Sequence, residues 1–116
     1  MTAQRGAVRA YQAASAHRSL REREAEVFLQ VNAGLQRIRQ GGTMLARVRA
    51  LADNDRLWLA LVGALRDPAN RLPDTLRGSL ISVGLAVQRE MRAREPDLEF
   101  LIEVNANVAA GLAGHA

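Results

Sequence analysis

The sequence contains no cysteine. That excludes disulfides, thiolate nucleophiles and cysteine-ligated zinc together. Lysine is missing too, so all 16 basic side chains are arginine. Aromatic residues amount to 3%, with Trp58 and Tyr11 the single members of their kinds. There is no aromatic platform on which bases would stack, and a core must be assembled from Leu, Val, Ile and Ala. No run approaches the roughly 18 to 20 apolar residues of a membrane-spanning helix. The opening stretch, MTAQRGAVRAYQAASAHRS, lacks the apolar centre of a secretory signal. The expectation is a cytoplasmic protein with no membrane insertion.

What is present is the material for one domain, taken as residues 1–116. Apolar residues make up 48% and charged residues 24%, which is not the composition of a disordered chain. The net charge of +4 is uneven. Residues 1–52 hold nine arginines against three acids, whereas residues 53–116 hold seven against nine. The basic half suits an acidic protein or a nucleic acid, although arginine at helical spacing also makes an ordinary solvated face.

The periodicity is helical throughout, and no strand alternation is visible. Breaks fall at Gln40–Gly42, at Arg66–Pro73 and at Glu95–Pro96. A weak stripe of Ala7, Val8, Tyr11 and Ala14 marks a first segment. Ser19 and Glu22 form a capping box that would open a second, and Phe28, Val31, Leu35 and Ile38 give its apolar face. Gly41 is placed to stop it in a left-handed conformation. Thr43 caps the next segment, with Met44, Val48 and Leu51 inward; residues 43–66 then read as one kinked helix or, the favoured reading, as two, the second capped by Asn54 or Asp55 and faced by Trp58, Leu61, Val62 and Leu65. Pro73 suits the first position of a helix striped by Leu76, Leu80, Val83, Gly84, Val87 and Met91. Gly84 costs ~1 kcal/mol against alanine in a helix interior, so its expected use is the close approach of a neighbour. Pro96 opens a final helix with Leu101, Val104, Val108 and Leu112 on its face. The fold class expected is all-α, a single small bundle of about five to six helices.

The residues offer little chemistry. His17 and His115 lack metal-motif spacing. Glu22 and Glu26 share a helix face, but Arg18, Arg21 and Arg23 lie close enough to neutralise them. Gly41–Gly42 lacks the lysine and hydroxyl residue of a phosphate loop. The serines have no acyl-transfer context. The expectation is a non-enzyme with no cofactor and no metal. Arg37, Arg39, Arg47 and Arg49 flank the Gly-Gly turn and are the candidate contacts to phosphates if the protein binds nucleic acid. Protein–protein binding is the leading reading, because apolar helix stripes can receive an amphipathic partner helix.

Several stretches, taken in order, resemble the FlaF family of flagellar biosynthesis regulators. They are AYQAA at 10–14, REREAEVF at 21–28, NDRLW at 54–58, LPDTLRGSLISVGL at 72–85 and LEFLIEVNANVAAGL at 98–112. Ala86 and Ala106 depart from the family pattern, which often has Trp and Arg there. The resemblance implies a role in flagellin synthesis and export, with flagellin as partner and FlbT as a further one. A chaperone holding the assembly-prone, amphipathic flagellin termini fits the lack of catalytic groups. The alternative it implies is post-transcriptional regulation of flagellin with FlbT on the messenger RNA. A groove with walls from residues 54–62 and 76–87, the last helix close by, is expected. Its candidate partner-binding residues are Asn54, Leu57, Trp58, Leu61, Leu76, Arg77, Leu80, Val83, Asn105 and Leu112. Trp58 fits a core junction as well as a partner anchor, and Asn105 an interhelix hydrogen bond as well as a contact.

Overall fold

Nothing between Thr2 and Arg39 stops a helix: the stretch has no proline, and its alanines, arginines and glutamates favour continuation. In the computed structural model it is one helix, α1 (Thr2–Arg39), followed by α2 (Met44–Arg66), α3 (Asp74–Met91) and α4 (Leu98–Leu112). The structure describes the backbone of residues 2–114 and the side chains of residues 6–9 and 23–114. Among the described residues there is no strand, and the all-α bundle expected from periodicity is what is found.

Two expected breaks are absent. Ser19 lies inside α1 and opens no second helix, because serine costs only a few tenths of a kcal/mol in a helix interior and no glycine or proline supports the break. Its side chain, like that of His17, lies outside the described residues, as does His115 entirely. Asn54 and Asp55 lie inside α2. The Asn54 side chain is committed to other helices and is not free to cap its own.

The real ends have identifiable stops. Gly41 and Gly42 both carry positive φ, 128° and 136°, and turn the chain between α1 and α2. Thr43 caps α2, its hydroxyl accepting the Ala46 N–H at 3.0 Å. The Asn70 side chain donates to the Ala64 carbonyl at 3.0 Å and closes the far end of α2. Pro73 precedes α3, and Asp74 takes the first helical position expected for the proline. Pro96 likewise stands before the cap of α4; Asp97 is that cap, accepting from the Phe100 N–H at 3.2 Å.

The short connections make successive helices antiparallel. α1 packs along α4 and against α2, and α3 packs against α2. The molecule measures 62 × 27 × 22 Å. Its long dimension is that of α1, since 38 residues rise about 57 Å.

Trp58 sits at the centre, fully buried, with its ring edge-to-face on Phe28 at a centroid distance of 5.8 Å. Leu35, Leu65, Val87, Leu101 and Ala109 are among the apolar residues buried with it. Gly84 is where α3 meets α2. A Cβ there would lie 2.5 Å from Val62 Cγ2 and 3.4 Å from the Trp58 ring, so the expected close approach is real.

Three asparagines are buried with this core: Asn32, Asn54 and Asn105. The indole N–H of Trp58 can only donate, and it donates to Asn105 Oδ1 at 2.8 Å. That fixes the Asn105 amide, whose Nδ2 donates to Asn54 Oδ1 at 2.8 Å. Asn54 Nδ2 in turn points at Met91 Sδ, 3.4 Å away. One directed chain of hydrogen bonds therefore ties α2, α4 and α3 in register. Asn32 donates to the Ile102 carbonyl at 3.1 Å across the α1–α4 seam, while its Oδ1 has no partner among the described residues.

Candidate functional site

α2 has more apolar side chains than one neighbour face can cover. Its inner stripe, Asn54, Trp58, Val62 and Leu65, is buried. A second stripe at three- and four-residue steps runs Leu45, Val48, Ala52, Asp55 and Leu59. Leu45, Val48 and Leu59 are 58%, 54% and 54% exposed. α3 answers with Ile81, Leu85, Gln88 and Arg92 at the same spacing, Leu85 being exposed. Where the two stripes meet lies an open cleft of about 440 Å³, lined by Leu51, Ala52, Asp55, Leu59, Gln88, Met91 and Arg92; Leu45, Val48 and Leu85 stand outside that lining. At the mouth end Met44 is 76% exposed, so the expectation that Met44 and Val48 face inward is overturned. The core side of α2 is already occupied by Trp58 and the asparagines.

The residues expected to form the groove fall elsewhere. Asn54, Trp58 and Asn105 are closed off from water and hydrogen-bonded to one another, so they present no surface to a partner in this conformation. Leu57, Leu61, Val83 and Leu112 pack partly buried against the core. Leu80 is half-buried and Leu76 is exposed at 47%. Arg77 pairs with Asp74 at 2.8 Å. Ala86 is half-buried and Ala106 exposed.

Leu45, Val48, Leu59 and Leu85 are the residues that the sequence reading missed. The signal was present as the second α2 stripe. Only a continuous helix aligns that stripe, since two helices over residues 43–66 would break it between Ala52 and Asp55; Leu85 belongs to α3 and has no part in it.

Arg37 and Arg39 stand in the last turn of α1, and Arg47 and Arg49 in the first two turns of α2, on either side of the α1–α2 turn. Arg37, Arg39 and Arg49 are exposed, and Arg47 borders a small hollow of about 200 Å³ with Gly41 and Gly42. Among the described residues no three His, Cys, Asp or Glu side chains gather as a metal site. No helix among them is long and apolar enough to cross a membrane.

The model of a known family, described as flagellar protein FlaF, matches residues 7–112. The chain belongs to the FlaF family. The match takes in the α1–α2 turn, the outer cleft and α4 up to its last residue. No curated protein and no solved structure matches the chain. FlaF membership makes this a protein of the flagellar system, and the part it takes there has to be argued from its surface.

Proposed function

We propose that this FlaF-family protein binds flagellin in the cytoplasm, as a chaperone and regulator that promotes flagellin synthesis and export. The observation that carries the reading is the exposed apolar pairing of Leu45, Val48 and Leu59 on α2 with Leu85 on α3. Roughly four turns carrying half-exposed aliphatic side chains beside a cleft are unfavourable in water unless something covers them at work. An amphipathic helix laid in the groove between two antiparallel helices covers them with side chains at i, i+3, i+4 and i+7. Terminal segments of flagellin have that character, which makes flagellin the partner of choice for a flagellar protein with such a face.

The test is co-elution of the purified protein with flagellin on size exclusion. Leu59→Glu and Leu85→Glu are expected to abolish the complex while leaving the bundle folded by circular dichroism. Normal complexes with both variants would show that this face is not the flagellin site.

A second reading draws on the basic end. Arg37, Arg39, Arg47 and Arg49 flank the α1–α2 turn, and with FlbT they would contact the flagellin messenger. Reversing all four to Glu separates the readings: loss of RNA binding with flagellin binding retained favours regulation at the messenger.

A further inference from the structure

The cleft has apolar walls and arginine banks. On α2, Arg49 and Arg56 stand four residues beyond Leu45 and Ala52, on the solvent side of the outer stripe. On α3, Arg89 and Arg92 stand four and seven beyond Leu85. All four are exposed. Arg56 is engaged by Asp53 at 3.6 Å. Among the described residues, Arg49, Arg89 and Arg92 have no carboxylate within ion-pairing distance. The one carboxylate lining the cleft is Asp55. Two nearby acids bind the backbone, Glu90 accepting the Asp97 N–H at 2.8 Å and Asp97 capping α4, while Glu95 is exposed and outside the cleft lining. Antiparallel packing also brings Arg37 and Arg39, in the last turn of α1, to this same end.

We infer that the helix received by the α2–α3 groove carries carboxylates on both flanks of its apolar stripe, and that its most acidic end lies over Arg49, Arg89 and Arg92. The inference rests on the flagellin reading for the partner's identity but on charge placement for its chemistry. Low-dielectric aliphatic walls strengthen the field of the arginines along the cleft. A carboxylate laid against a bank of unpaired guanidiniums gains charge-assisted hydrogen bonds, whereas a lysine there meets like charge. Arginine banks thus orient the incoming helix and reject basic ones, and the apolar floor holds it. The exposed stripe that continues the floor, from Leu45 to Leu59, runs about 21 Å, or roughly four turns of a partner helix.

Two labelled synthetic helices of about 18 residues, equal in their leucine stripe, test this by fluorescence anisotropy; one has glutamate flanks and the other lysine flanks. The glutamate helix is expected to bind about tenfold tighter or more, with the preference shrinking as salt rises. The triple variant Arg49→Glu, Arg89→Glu, Arg92→Glu should invert the preference, and Leu59→Glu should weaken both helices. Equal affinities, a preference for lysine flanks, or a preference that survives the triple variant overturns the inference. Running flagellin against the same variants keeps the two ideas apart. If flagellin fails to co-elute while the glutamate helix behaves as expected, the flagellin reading falls and the acidic-helix inference stands. If flagellin binds wild type and triple variant alike, but not Leu59→Glu, the inference falls and the flagellin reading stands.

Discussion

On one side of α2, Asn54, Trp58, Val62 and Leu65 are shut away from water; about a third of a turn around the same helix, Leu45, Val48 and Leu59 remain half open to it. Helical spacing alone does not separate these stripes, since both repeat at three and four residues. What separates them is the company each keeps. The inner stripe includes two large groups with hydrogen-bonding needs, the Trp58 indole and the Asn54 amide, and Asn105 of α4 satisfies both. Asp55 is the outer stripe's one polar side chain, and a carboxylate has no donor to orphan, so the stripe can be covered and uncovered without leaving a buried N–H unpaired. A helix with one locked face and one unlocked face is suited to hold a bundle together while exchanging a partner.

The sharpest way to break this contrast is Trp58→Ala. It deletes the central side chain and strands Asn105 Oδ1, and should cost about 3–5 kcal/mol in denaturant unfolding. Any loss of flagellin binding in that variant should track the unfolded fraction. Next is Asn105→Leu, expected to cost about 2–3 kcal/mol because the indole N–H and Asn54 lose their partner. The double variant with Asn54→Leu should cost less than the sum of the singles in a mutant cycle, since the two amides act as one chain. Gly84→Ala gains helix propensity but drives a methyl into Val62 Cγ2. A β-branched neighbour gives way poorly, so the net expectation is a loss of about 1–2 kcal/mol in thermal melts. At the small end stands Leu59→Glu, with stability within about 0.5 kcal/mol of wild type, and it is the one expected to remove binding outright. Leu57→Asp sharpens the contrast from the other direction: Leu57 packs against the core, so its effect on binding should come with a measurable loss of stability.

Much of the architecture was legible in the residues. Gly41, Thr43 and the Arg66–Pro73 break mark real helix ends, because turns and caps are local chemistry. The Val83–Gly84–Val87 stripe announced a close contact, since glycine in a helix interior needs a reason. The capping box at Ser19 misled because a cap motif shows where a helix can begin, not that the preceding helix has stopped. Asn54 misled in the same way: an asparagine after a short polar run looks like a cap until a partner 51 residues away takes its side chain. That partnership, and with it the burial of Trp58, is a long-range fact that periodicity does not record. The family was visible in the order of its short motifs, whereas the open face was not, because exposure is decided by which neighbours fail to arrive.

The lone acceptor of Asn32 has its own consequence. Its Oδ1 is buried with no donor among the described residues, so parting α1 from α4 lets water reach an acceptor worth about 1–3 kcal/mol. That rebate makes this seam cheaper to open than its aliphatic contacts alone suggest, and amide hydrogen exchange should register breathing there before it reaches the tryptophan.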